Sequence, residues 1–141
     1  MKFLLDTCVL SELVKRIPDT QVLKWLQENK AHELCISAMT LAELQRGVVR
    51  MPKSKRQLEL SEWLLNLEIG FEDRILAFDQ LVAKVWAEMT SEAEAQGKSM
   101  TSFDSIIAAT ARAHDCKLVT RNIKDFKNAR IEVINPWMAH K

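Results

Sequence analysis

Apolar residues in this chain come in short continuous runs, separated by longer stretches with helical spacing. Five runs read as strands: Lys2–Leu5, Leu34–Ser37, Ile75–Phe78, Lys117–Thr120 and Ile131–Ile134. Most are continuous rather than alternating, as expected of strands covered on both faces. Between them, Thr7–Arg16, Thr20–Asn29, Thr40–Met51, Lys53–Leu67, Gln80–Gln96 and Ser102–His114 carry helical patterns. Strands alternating with helices predict an α/β fold around a parallel sheet with right-handed crossovers. Pro52 separates the third helix from the fourth, which predicts a helical hairpin. No repeat or linker interrupts the pattern, so residues 1–141 read as one domain.

Composition narrows the class. At 141 residues with 48% apolar content, the chain can build a full core. Three glycines and three prolines exclude collagen-like and low-complexity proteins. Twenty basic against nineteen acidic residues give a net charge of +1. A generic, whole-surface nucleic-acid binder is thereby excluded, and any such activity must reside in a local site. Cys8, Cys35 and Cys116 are far apart and, with His114, lack zinc-finger spacing. They read as small buried residues in a reducing compartment. His32, His114 and His140 are scattered and read as surface or core residues. Asp6 and Glu12 interrupt the apolar start, no small-residue cleavage site follows, and no segment reaches the length of a membrane span. These features predict a cytoplasmic protein without a membrane partner.

Acids recur where strands end and helices begin: Asp6, Glu43, Asp79, Asp104 and Asp125. Each has a plain explanation. Asp and Thr cap helices, and Thr40…Glu43 and Thr101…Asp104 have capping-box spacing. Collectively they suggest more. An open parallel sheet gathers its helix N-termini at the carboxyl edge of the strands, where ligand sites lie. Asp6, Glu43, Asp104 and Asp125 would share one crevice there and repel one another unless a hard cation intervened. Mg²⁺ or Mn²⁺ held by carboxylates suits phosphodiester hydrolysis through an activated water. No nucleophile elbow, P-loop, dinucleotide-binding fingerprint or H-E-x-x-H helix offers a rival chemistry.

The segments carrying these acids resemble PIN-domain proteins. They are Phe3-Leu4-Leu5-Asp6-Thr7 with Leu10-Ser11-Glu12-Leu13, and Ile36-Ser37 through Thr40-Leu41-Ala42-Glu43-Leu44 with Gly47. Asp104 through Ala111 and Leu118-Val119-Thr120-Arg121-Asn122 with Asp125-Phe126 complete the set. Order, spacing and length match across essentially the whole chain, most nearly those of VapC and FitB-like toxins. The resemblance implies a three-layer α/β/α PIN-like fold with a central parallel sheet of about five strands. It implies a Mg²⁺- or Mn²⁺-dependent endoribonuclease, with tRNA a candidate substrate, held inactive by a small VapB-like antitoxin that carries the DNA binding. The family's first three acids fall on Asp6, Glu43 and Asp104. For the fourth, many relatives have Asp where this chain has Asn122, and Asp125 on the following short helix is the substitute.

Thr7 and Thr120 fall at the same edge, where their hydroxyls suit a carboxylate, a metal-bound water or a phosphate. Arg121 is the leading phosphate contact, and Arg112 is placed to meet an inhibitor carboxylate. Arg46, Arg50, Lys53, Lys55 and Arg56 form an acid-free interval, Leu44–Leu58, able to guide RNA or receive an acidic antitoxin segment. Trp25, Trp63 and Trp86 read as core, and the apolar helix around Trp63 suits a second copy or an antitoxin. A housekeeping RNA-processing PIN nuclease and an inactive PIN binding module remain the alternatives. A phosphatase of the haloacid-dehalogenase type would need an acid at Cys8, and a receiver domain an acid pair where only Asp6 stands.

Overall fold

The computed structural model describes residues 2–138. Five strands form one parallel sheet: β1 (Phe3–Leu5), β2 (Leu34–Ser37), β3 (Ile75–Leu76), β4 (Lys117–Val119) and β5 (Val133–Ile134). Their order across the sheet is β3-β2-β1-β4-β5. Six helices connect them: α1 (Thr7–Glu12), α2 (Thr20–Glu28), α3 (Ala38–Val49), α4 (Lys55–Phe71), α5 (Gln80–Ala95) and α6 (Ser102–Ala113). The fold is the expected three-layer α/β/α arrangement. Among the described residues no helix is long and apolar enough to cross a membrane.

The strands are apolar on both sides because each face meets helices. Leu4, Cys35 and Leu118 face the layer containing Val82, Met89, Ile107 and Ala108 of α5 and α6. Phe3, Leu5, Leu34, Ile36 and Val119 face Val9, Val22, Trp25, Leu44 and Leu64 of α1–α4. The Phe3 and Trp25 rings meet edge-on at 5.0 Å. Trp63 and Trp86 are half-buried against the same two cores, so all three helical tryptophans are packing residues. Cys35 and Cys116 are buried as expected, whereas Cys8 is only half-buried and lies at the sheet edge. His32 is exposed, His114 half-buried, and His140 lies outside the described residues.

Local capping moves several expected boundaries. Ser37 Oγ accepts from the Thr40 amide at 3.0 Å, so α3 starts at Ala38 rather than Thr40. Thr40 therefore sits within the first turn, and Thr40…Glu43 is not a capping box. Ser54 caps α4, which runs on to Phe71 rather than stopping at Leu67. Leu64, Leu67 and Phe71 keep an apolar stripe against the core through that extra turn. Asp79 accepts from the Val82 amide at 3.0 Å and is an exposed cap of α5, so this acid has the plain role.

Candidate active site

The strand order reverses at β1. The chain leaves β1 toward β2 and β3, then returns to place β4 on the other side of β1. Such a reversal opens a crevice at the carboxyl ends of the two central strands. Asp6 stands there, its amide still bonded to the Val119 carbonyl of β4 at 2.9 Å. The residue is only 5% exposed. Oδ1 accepts from the Thr7 amide at 2.8 Å, and Oδ2 accepts from the Thr120 hydroxyl at 2.7 Å and the Cys8 thiol at 3.6 Å.

Glu43 reaches this crevice from the second turn of α3, where its Oε1 accepts from the Thr7 hydroxyl at 2.8 Å. Thr7 thus ties the first acid to the second, by its amide and its hydroxyl. Asp104 lies in the first turn of α6, with its amide bonded to Thr101 Oγ1 at 3.3 Å. Asp125 is exposed on a 3-10 turn, Ile123–Phe126. Burial raises the Glu43 carboxyl above its ordinary value, helped by the charges of Asp6 and Asp104 and opposed by the Thr7 bond. Burial likewise raises Asp104, with the charges of Asp6 and Asp125 adding to it and the Thr101 bond opposing it.

Among the described residues the ion pairs run Lys15–Glu12, Lys24–Glu28, Arg56–Glu59, Arg112–Glu92, Lys117–Glu132 and Arg130–Glu92, and none neutralises these four acids. Nor do three acidic, His or Cys side chains of the described residues close into a cation cage.

The remaining expectations divide. Thr120 is fully buried, and its hydroxyl donates to Asp6 while accepting from the Asn122 amide at 3.0 Å. Thr7 also spends its hydroxyl on a carboxylate. Of the partners open to these hydroxyls, both meet a carboxylate. Asn122 and Arg121 are exposed beyond β4, and Arg121 stacks on Trp137 with its guanidinium carbon 5.3 Å from the ring centroid. Arg46 on α3 and Arg50 at its C-cap are exposed, three and seven residues beyond Glu43 and so on its side of the helix. Arg56 is diverted from the basic patch to the Val14 carbonyl at 2.5 Å. Arg112 lies 3.7 Å from the Glu92 carboxylate. Sequence reasoning missed Cys8, whose position two residues after Asp6 was the available signal.

An α/β/α sandwich with acids gathered at this strand reversal defines a nuclease-like PIN architecture. The PIN domain family matches residues 3–132, and the chain belongs to that family. It is 37% identical over 134 residues to VapC ribonuclease Y4jK of Sinorhizobium fredii, covering 94% of this chain and 96% of the relative. It is 38% identical over 135 residues to toxin FitB of Neisseria gonorrhoeae, covering 95% and 97%. It also superposes on a chain from the structure of FitAB bound to the IR36 DNA fragment. There the TM-score is 0.93 at 35% identity, over 99% of this chain and 98% of that one.

Proposed function

We propose that this chain is a metal-dependent endoribonuclease and the toxin of a type II toxin–antitoxin pair, acting in the cytoplasm on RNA. The observation that carries the chemistry is Asp6, buried at the strand reversal and joined through Thr7 to Glu43 with no neutralising cation among the described residues. Relatives named VapC ribonuclease and toxin FitB support the class.

The donor set fits a hard divalent cation. It offers only carboxylate oxygens, and burial and mutual repulsion push two of them toward protonation. Asp6, Glu43, Asp104 and Asp125 are the residues that would hold Mg²⁺ or Mn²⁺. When bound, such an ion makes a coordinated water more acidic and offsets charge on phosphoryl oxygens. The chain's own part is orientation. The Thr7 amide and Thr120 hydroxyl fix the Asp6 carboxylate, and the Thr7 hydroxyl fixes Glu43. Exposed Arg121, Asn122, Arg46 and Arg50 supply donors for the RNA backbone.

A solved relative is FitAB bound to a DNA fragment, which supports a small VapB-like partner that carries the DNA contacts. A net charge of +1 leaves this chain little non-specific DNA affinity of its own. A homodimeric toxin within that complex is part of the same proposal. Purified chain is incubated with RNA in Mn²⁺, in Mg²⁺ and in EDTA, alongside Asp6→Asn and Asp104→Asn. Cleavage is expected only with an ion and only in the unsubstituted chain. Cleavage that persists in EDTA, or in both variants, overturns the assignment.

A further inference from the structure

Beyond β4 the chain builds a second feature that shares only Asp125 with the four acids. Arg121, Asn122, Ile123, Lys124, Asp125 and Asn135 line an open cleft of about 370 Å³. It runs from the strand edge that carries Thr120 across to the residue following β5. Asp125 is its one acid, and Arg121 and Lys124 bring two cations. Neither cation takes part in an ion pair among the described residues.

Arg121 is held in a particular way. Its guanidinium lies over the Trp137 ring. Held over the ring, the guanidinium keeps the N–H groups that do not face the ring available for an oxyanion. It also keeps the cation at the rim, where it does not collapse onto the nearby carboxylates. Trp137 is itself fixed in two ways. Its amide donates to Asn135 Oδ1 at 2.9 Å across the Asn135-Pro136-Trp137 turn. Its ring packs against the core on the α1–α4 side of the sheet.

We propose that this cleft is a phosphate subsite for the RNA strand beside the scissile bond, with Arg121 and Lys124 as its contacts and Trp137 as the positioning residue for Arg121. The proposal rests on the nuclease reading, since a phosphate at Arg121 is useful where the same strand passes the acids. An acidic protein segment is the competing occupant. RNA is favoured because the lining combines cations with Asn122 and Asn135, and the one large apolar side chain it exposes is Ile123.

The test is binding of a fluorescein-labelled single-stranded 12-mer RNA to the full chain in EDTA, read by anisotropy across a salt series. Cleavage kinetics in Mn²⁺ run in parallel. Arg121→Gln and Lys124→Gln are each expected to weaken binding about tenfold. Each is expected to reduce the slope of log affinity against log salt by about 0.7, one phosphate contact on a single strand. Trp137→Ala should weaken binding alone but add nothing in the Arg121→Gln background, and Trp137→Phe should restore most of the loss. A packing role alone would make Trp137→Ala costly in both backgrounds.

Wild-type chain that cleaves RNA, with both glutamine variants binding at wild-type affinity and slope, overturns the subsite and leaves the nuclease standing. Wild-type chain that neither binds nor cleaves overturns the nuclease reading itself. Unchanged RNA binding with loss of the co-purifying partner protein in Arg121→Gln assigns the cleft to a protein and also overturns the proposal.

Discussion

Asp6 is a buried acid surrounded by groups that donate to it, and that sets the consequence of replacing it. Asn would still cap α1 by accepting from the Thr7 amide at its oxygen. Its NH₂, however, would face the Thr120 hydroxyl and Cys8 thiol that now donate to Oδ2. Asp6→Asn is therefore expected to fold, with a stability loss of about 1–2 kcal/mol by urea unfolding. A variant as stable as wild type would show that Thr120 readily reverses its bond. Glu43 and Asp104 behave oppositely. Their raised carboxyls hold protons more tightly in the folded than the unfolded state, so they weaken the fold as pH rises from the ordinary carboxylate range through their raised values, and fully above that. Glu43→Gln and Asp104→Asn should each melt higher than wild type near neutral pH in EDTA, with the advantage gone by about pH 4. Added Mn²⁺ should raise wild-type melting and do less for the variants. Equal Mn²⁺ stabilisation of all three would separate these acids from the metal.

At the scale of elements, α3 and α4 repay attention because each does one positional task. Ser37 both ends β2 and caps α3, and its hydroxyl is 1% exposed. Ser37→Ala should cost about 1 kcal/mol in urea unfolding, and it should lower cleavage as well, since the cap sets the start of the helix that carries Glu43. A stability loss without any loss of cleavage would show that α3 is fixed by packing alone. Helix α4 is apolar on more than one side. Leu64 is 2% exposed, whereas Leu65 is 57% exposed. Leu64→Ala should cost about 2–5 kcal/mol through the cavity it leaves, and Leu65→Ala less than about 0.5. Comparable losses at both positions would mean that Leu65 is covered in solution.

For the whole molecule, a nuclease free in the cell requires control, and the controlling partner should be encoded beside it. Expression of the chain alone is expected to arrest growth and degrade RNA. Co-expression with the product of the adjacent reading frame should restore growth and yield a stable complex, with DNA binding absent from the toxin alone. Equal growth in both cases would move the chain to housekeeping RNA processing.

The alternation of apolar runs with helical spacing was sufficient to read a parallel α/β sheet, because strands covered on both faces cannot alternate. Asp6 was legible because an acid directly after a strand in such a fold has few places to go, whereas Glu43 and Asp104 sit in the second turn of α3 and the first turn of α6. The precise starts of helices were not: whether Ser37 or Thr40 caps α3 depends on which hydroxyl meets an amide, a matter of one backbone turn. Tertiary structure alone decided the rest. Thr7 and Thr120 became orienting groups because β1 and β4, distant in sequence, are neighbours whose ends share one crevice. Arg121 found Trp137 because β4 and β5 pair and carry their following residues to the same edge. A pattern along the chain specifies what each segment buries, but only the packed sheet specifies which distant side chains meet.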